Sequence, residues 1–411
     1  MGTVLRGLVL VGGAFCILCA GRSALGFDMA YESVTLGVRP YVDASATYDS
    51  NAKLTTADKE SDVYWQTQVG VSLSLIYKWL TVNGAGYTFS RTYSSTSPKD
   101  EESFSGGERF DISFGRRDKL LIGLNQSYER VTDYSKIIHP TPLAETQPGQ
   151  TELLQQDWSE RTRRDVARAG VTLGRDLTDK TEADIGYTYS KDHYLEGGLY
   201  DTARHDGQLM LGYKVTDKSS AFFDGRYGSE DSQGYEAPGS DAYAGLGWRT
   251  RMTEKVQFDG SAGYETYRSG TLKGRNEKSD VDTIGMHLGG AWRPVDKLTV
   301  GIVGQREVEA AVIEANTRVL TLVALTTGYR LKDDLTCSLA LSYRRDEYDL
   351  PPPGGTEARR LNSEGVCLST DYSPFRRLTF YAATSYENTQ SNLPDEDFDQ
   401  VRATIGARAS F

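Results

Sequence analysis

The sequence has few cysteines, few histidines and no excess of positive charge. Of its four cysteines, only Cys337 and Cys367 lie outside the first 26 residues, too few for a disulfide framework or a structural zinc site. Without residues 1–26, which hold two arginines and no acid, 44 basic and 57 acidic side chains leave a net charge of −13. This acidity argues against nucleic acid as a partner, because phosphate binding needs positive patches. We expect no cofactor and no metal.

The first 26 residues read as a secretory signal peptide. Arg6 precedes an apolar run from Leu8 to Ala20, and the small residues Ala24 and Gly26 follow at the spacing of a cleavage site. A membrane anchor is the alternative, but about thirteen apolar residues are too few to span a bilayer of roughly 30 Å. No later run reaches the ~18 apolar residues of a membrane helix. We therefore predict a signal peptide over residues 1–26 and an exported chain over residues 27–411.

The exported chain alternates between apolar and polar residues along many short segments. The clearest case is "VRATIGARASF" at residues 401–411, where every second residue from Val401 to Phe411 is apolar. A period of two places one set of side chains on each face of a β-strand. Alternation also fits a soluble sandwich with its apolar face inward, so this pattern alone predicts an all-β fold and not its surroundings.

Short polar turns recur along the chain. They are "YKWL", "RRDK", "LTDK", "VTDK", "MTEK", "PVDK", "LKDD" and "PFRR", with markers at residues 78, 118, 179, 217, 254, 296, 333 and 376. The markers are 40, 61, 38, 37, 42, 37 and 43 residues apart. Such a period holds two strands, one tight turn and one longer loop. A propeller or solenoid also repeats at this length, but neither requires long connections on one side only.

One-sided loops are typical of outer-membrane barrels, with short periplasmic turns and long extracellular loops. Tyrosines and tryptophans near strand ends on the apolar rows, together with the export signal, favour the membrane barrel over the sandwich. Eight short turns, with both chain ends on one side, predict a transmembrane antiparallel β-barrel of 18 strands, from about Val34–Tyr48 to Phe398–Phe411. If "YKWL" is not a turn, the count is 16.

Charged side chains occupy the rows opposite the apolar ones. At mid-depth, Arg or Lys facing lipid costs roughly 2–4 kcal/mol, so these charges must face water or one another. They either line a hydrated channel or pair to hold neighbouring strands. The candidates for lining the lumen are Arg39, Asp43, Asp111, Arg164, Arg168, Asp184, Asp224, Arg226, Asp259, Glu265, Arg344, Arg402 and Arg408, and the same parity adds Glu129 and Glu387.

The segment "YVDASATYDSN", residues 41–51, and the terminal Phe411 resemble the outer-membrane β-barrel porins associated with exopolysaccharide biosynthesis and secretion. The resemblance implies an outer-membrane pore through which a secreted polysaccharide leaves a Gram-negative cell. It implies as partners the lipid bilayer with its lipopolysaccharide, periplasmic polysaccharide-export proteins and the barrel-assembly machinery, for which Phe411 is the recognition signal. No constriction loop is evident unless the segment from about Thr132 to Glu160 folds inward.

Other functions remain open at this stage. A general or small-solute diffusion porin has the same pattern, and so does a structural barrel that displays its loops. An enzyme would need a Ser-His or Asp-His group, but the four histidines have no partners nearby in the sequence. The acidic loops at residues 228–236 and 394–400 lack the fixed spacing of a calcium loop, so we interpret them as solvated charges.

Overall fold

The computed structural model describes residues 27–31, 34–51, 59, 61–77, 79–93, 103–116, 120–132, 163–194, 201–232, 239–268, 279–311, 316–351, 356–393 and 396–411. The predicted signal peptide and residues 133–160 of the predicted long loop lie outside these ranges. No helix in the described ranges is long and apolar enough to cross a membrane.

The described chain forms nineteen β-strands. They are β1 (Phe27–Tyr31), β2 (Val34–Asp49), β3 (Asp62–Tyr77), β4 (Leu80–Tyr93), β5 (Ser103–Arg116), β6 (Leu120–Thr132), β7 (Arg163–Asp176), β8 (Thr181–Tyr194), β9 (Thr202–Thr216), β10 (Ser219–Ser232), β11 (Gly239–Thr253), β12 (Val256–Arg268), β13 (Asp280–Val295), β14 (Leu298–Ala311), β15 (Asn316–Lys332), β16 (Leu335–Tyr348), β17 (Arg360–Phe375), β18 (Leu378–Ser391) and β19 (Phe398–Ser410).

Strands β2 to β19 close into an antiparallel barrel of 18 strands. Each strand pairs with its neighbours in the sequence, and β19 pairs with β2 from Arg402–Asp49 to Ser410–Tyr41. The predicted count of 18 is confirmed. The count of 16 is wrong, because Tyr77 pairs with Leu80 across a genuine turn. Closure leaves the sheet without the open edges that lipid does not tolerate.

Strand β1 is a feature that the alternation does not predict. It pairs only with the start of β2, from Phe27–Val38 to Tyr31–Val34. The amide of Phe411 bonds to the carbonyl of Pro40 at 2.9 Å, so β1 takes up the edge of β2 just where β19 ends. Strand β1 and the end of β19 therefore lie one after the other along the same edge of β2.

The repeated short turns have a local chemical cause. The Thr216 hydroxyl accepts a hydrogen bond from the amide of Lys218 at 3.2 Å, and Thr253 does the same for Lys255 at 3.1 Å. A hydroxyl that bonds two residues ahead fixes a tight turn. Before the β5–β6 turn, Gly115 has φ +86°, and a Cβ there would lie 2.1 Å from the Leu120 carbonyl oxygen. Only glycine fits at that position.

The two faces of the barrel differ in polarity. Large apolar side chains stand exposed on the outer rows, as with Leu246 and Ile405, which are 73% and 66% exposed. Polar side chains on the inner rows are closely packed, and Asp346 is fully buried. Ile284 and Trp292, on the outer row of β13, are eight residues apart. For a strand tilted about 40°, this is roughly 21 Å along the membrane normal, near the ~25 Å apolar band of such barrels.

One pair of neighbouring strands separates before it ends. The ladder between β13 and β14 runs from Val295–Leu298 up to Met286–Arg306 and stops there. Both strands continue, since β13 stays paired with β12 to Asp280 and β14 stays paired with β15 to Ala311. The wall is therefore split over its last five or six residues at the long-loop end.

Candidate functional site on the inner wall

The strand register places every predicted lumen residue on an inner row. Directly opposite residues of an antiparallel pair share a face, which links Asp43 with Arg408 and Asp111 with Asn125. For Arg164 and Glu129 only the backbone register is described. We propose separately that these rows line a water-filled passage. The inner-row positions are 39, 43, 111, 129, 164, 168, 184, 224, 226, 259, 265, 344, 387, 402 and 408.

A buried network closes the seam between β2 and β19 at the long-loop end. The Asp49 carboxylate accepts bonds from Arg402 Nε at 3.1 Å, from Gln400 Nε2 at 2.7 and 2.9 Å, and from the Asn51 amide at 3.0 Å. Asn51 in turn donates to the Asp399 carbonyl at 3.1 Å. Asp49 and Asn51 belong to the "YDSN" motif. The motif therefore has a structural role here, which is to join the first and last strands of the barrel.

A second ion pair holds the same seam nearer the short-turn end. Arg408 Nε lies 2.8 Å from Asp43 Oδ2, and Tyr381 donates to Asp43 Oδ1 at 2.6 Å. Asp43 is buried, whereas the Arg408 side chain is 56% exposed. Of the predicted residues, the structure thus brings together Asp43 with Arg408, and it gives Arg402 a partner, Asp49, that sequence reasoning did not select.

A buried charge network crosses β14, β15 and β16. Arg318 Nη2 lies 3.0 Å from Glu309 and its Nε lies 3.7 Å from Asp346, while Arg344 Nε lies 2.7 Å from Asp346. Sequence reasoning selected Arg344 and missed the other three. A signal was present in "VLTLVAL", residues 319–325, where apolar residues occupy both rows and only Thr321 is polar, because an inner row that is packed and not solvated loses the alternation.

Arginines on β9 and β10 also have acidic partners. Arg204 lies 2.7 Å from Asp206 and 2.9 Å from Asp241, and Arg226 lies 2.7 Å from Asp224. The Arg226 guanidinium also sits 5.2 Å from the centre of the Tyr243 ring. The predicted residues Asp224 and Arg226 therefore meet.

Two other predicted carboxylates each have an oxygen without a hydrogen-bond partner among the described residues. These atoms are Asp259 Oδ1 and Glu265 Oε2. Each lies over a glycine, since a Cβ on Gly289 would be 2.8 Å from Asp259 Oδ1 and one on Gly285 would be 2.7 Å from Glu265 Oε2. The two glycines make room for the carboxylates.

The described histidines lie apart from one another. His193 bonds to Asp201 at 2.6 Å near the long-loop end, and Tyr187 bonds to His205 at 2.7 Å on the outer face. Desolvation raises the pKa of Asp201, but the hydrogen bonds from His193 and the Tyr194 amide together lower this pKa by more than desolvation raises it. The net shift is downward. His139 lies outside the described residues. Within the described ranges, no three His, Cys, Asp or Glu side chains are arranged to hold a metal ion.

The two cysteines lie on opposite faces, as their parity predicts. Cys337 is opposite Thr370 on the outer row, and Cys367 is opposite Ala340 on the inner row. Both are free thiols. Because their Cβ atoms point to opposite sides of the sheet, no disulfide can join them without a change of backbone.

The chain is similar to a known family and to several solved structures. The family described as "Putative beta-barrel porin 2" matches residues 35–411. OccK1 (OpdK) of Pseudomonas aeruginosa is 9% identical at a TM-score of 0.50, over 91% of this chain and 99% of that one. OccAB4 of Acinetobacter baumannii is 13% identical at a TM-score of 0.47, over 91% and 98%. At 9% identity, the likeness to OccK1 supports the fold alone. No curated protein matched the sequence.

Proposed function

Because the chain belongs to the family described as "Putative beta-barrel porin 2", we propose that it is a channel for small polar solutes. It is an outer-membrane porin by family and by fold. The nature of the solute is the proposal. It replaces, as the preferred function, the export of a secreted polysaccharide that the sequence resemblance implies.

The observation that carries this proposal is the close packing of the inner wall at the long-loop end. Tyr267 and Leu361 on inner rows are 1% exposed, and Asp346 is fully buried. Tyr348, Leu361 and Phe398 form a buried apolar cluster across β16, β17 and β19. An inner wall that is filled on one side leaves less open cross-section than an empty barrel, which favours small solutes over a bulky polymer.

The residues behind the polysaccharide hypothesis have another explanation. The "YDSN" motif forms the corner at which Asp49 and Asn51 bind β19. A barrel that closes by pairing its first strand with its last needs contacts of this kind, whatever solute it transports. The motif thus supports membership of the family more than it supports a polysaccharide substrate.

Charges of both signs on the inner rows favour polar solutes over apolar ones. Arg204, Arg226, Arg344 and Arg402 each lie beside a carboxylate. Pairs of this kind keep the wall hydrophilic without a strong net field. We assign no catalytic role to the barrel, since its family and fold are those of channels.

Swelling of proteoliposomes tests the proposal. Vesicles with the purified barrel should swell at comparable rates in monosaccharides and disaccharides, and they should not swell in a polysaccharide of some tens of sugar units. Vesicles with heat-unfolded protein are the control. Loss of surface polysaccharide in a deletion strain, together with passage of long chains through the vesicles, would favour export instead.

A further inference from the structure

The ends of β14 and β15 at the long-loop side, up to Ala311 and from Asn316, lie on the inner side of the wall. Glu265, on the inner row of β12, lies close to the backbone of Val308 on β14, although β13 lies between these strands. Arg306, on the outer row of β14, donates to the Thr283 hydroxyl on the inner row of β13 at 3.4 Å. The outer face of β14 thus meets the inner faces of β12 and β13 above the split.

Burial of the outer row supports this placement. Val308 is 8% exposed and Thr317 is fully buried, although both occupy outer-row positions. Val323, on the same hairpin below the split, is 45% exposed. The same row therefore faces out in the lower part of the hairpin and is covered in the upper part.

Contacts on both sides of the hairpin hold its end in place. Ser279, just before β13, donates to Asp349 after β16 at 2.8 Å and so reaches past β14 and β15. Arg318 joins Glu309 to Asp346 within the buried network. A segment held inside the wall necessarily takes up part of the lumen.

The split begins near the upper end of the apolar band, one outer-row position below Ile284. The outer row of β13 is apolar at Ile284 and Met286 and acidic at Asp282 and Asp280. An open strand edge is not tolerated in hydrocarbon, so the level of the last pair, Met286–Arg306, fits the upper border of the lipid. The part of the lumen that the hairpin narrows would therefore lie at or above this border.

Carboxylates outnumber arginines around the hairpin. Arg226 is paired with Asp224, Arg318 with Glu309, and Arg344 with Asp346. Among the described residues, neither Glu265 nor Glu307 forms an ion pair, although each lies within electrostatic range of Arg226. Glu265 is 8% exposed, its Oε2 atom has no hydrogen-bond partner among the described residues, and it lies within electrostatic range of Glu307 and Glu309. Glu307 is only half-buried.

We propose that residues 307–311 and 316–318 form the constriction of the channel and that Glu265 and Glu307 there bind the ammonium or guanidinium group of a permeating solute. This rests on the proposed function and narrows its substrate class to solutes that carry a cationic group. Carboxylates in excess, in a place with little water, favour an N–H donor that brings positive charge.

Block of the ionic current by guanidinium tests the site. In planar bilayers of the full exported chain, guanidinium chloride should reduce the sodium chloride current more strongly than tetramethylammonium chloride, which has no N–H group. Glu307→Gln should weaken the guanidinium block about tenfold, the effect of losing one hydrogen bond to a charged group. The control Asp371→Asn removes an inner-row carboxylate near the short-turn end and should leave the block unchanged.

The placement of the hairpin has its own test. In a chain with Cys337→Ser and Cys367→Ser, the variant Val323→Cys should react with a lipid-soluble maleimide, and Val308→Cys should react with neither this reagent nor a polar one. Equal labelling of the two positions would overturn the inserted hairpin, even if Glu307→Gln failed to fold. If the wild type conducts but Glu307→Gln keeps the wild-type block, the cation site is wrong and the channel stands. If the folded wild type does not conduct, the proposed function fails.

Discussion

Removal of Arg402 should destabilise the barrel far more than removal of an arginine from its outer surface. Arg402 and Asp49 are each 6% exposed, and their contact closes the seam between the first and last barrel strands. Loss of one partner of a buried ion pair costs about 3–5 kcal/mol. We expect the lower end, about 3 kcal/mol, because Gln400 and the Asn51 amide still donate to Asp49 after Arg402→Ala.

Arg345→Ala is the matched control. Arg345 lies 2.6 Å from Glu347 on the outer face, with its side chain 44% exposed, so its ion pair contributes at most about 1 kcal/mol. Urea unfolding in detergent micelles, followed by tryptophan fluorescence, measures both variants. At a slope of about 3 kcal/mol per M, Arg402→Ala should lower the midpoint by about 1 M. Midpoints of the two variants that agree within error would refute the reasoning.

Three further predictions concern assembly, faces and thiols. Deletion of Phe411, whose amide bonds to Pro40, should lower the amount of heat-modifiable barrel in the outer membrane more than a Gly354 substitution, and equal amounts would contradict a role in closure. A polar thiol reagent should modify Asp259→Cys and spare Phe258→Cys in a chain with Cys337→Ser and Cys367→Ser, since their rows face opposite sides; the reverse order would show the face assignment to be wrong. Non-reducing mass spectrometry should find Cys337 and Cys367 unlinked after mild oxidation, and a linked peptide pair would contradict their opposite faces.

Strand number and strand faces could be predicted because both are local properties of the sequence. The predicted first strand from Val34 ends at Asp49 in the structure, one residue beyond Tyr48, and the last begins at Phe398 as predicted. Polar turns punctuate the chain at regular intervals, and a period of two fixes which residues share a face. These signals need no knowledge of distant contacts.

The inserted hairpin could not be predicted in the same way. Parity assigns Val308 to the outer row, and the register agrees, but the sequence does not show that this part of the row turns against β12. The separation of β13 and β14 depends on contacts between distant segments, such as Ser279 with Asp349. The apolar residues on both rows of the segment 319–325, interrupted only by Thr321, were the available hint.

The partners of the inner-row charges also could not be predicted from the sequence. Asp49 and Arg402 are 353 residues apart in the chain and meet only because the barrel closes. Arg318 and Asp346 come together through the register of β15 and β16. Alternation identifies a charge as inward-facing, whereas its partner is set by the shift between neighbouring strands.

The most direct test of the central claim is the conductance of the purified chain in a planar bilayer. Protein shown to be folded by heat-modifiable migration should produce discrete, ohmic current steps in potassium chloride, and these steps should disappear when the same sample is boiled. Absence of conductance from the folded barrel, both intact and after deletion of residues 133–160, would contradict the channel.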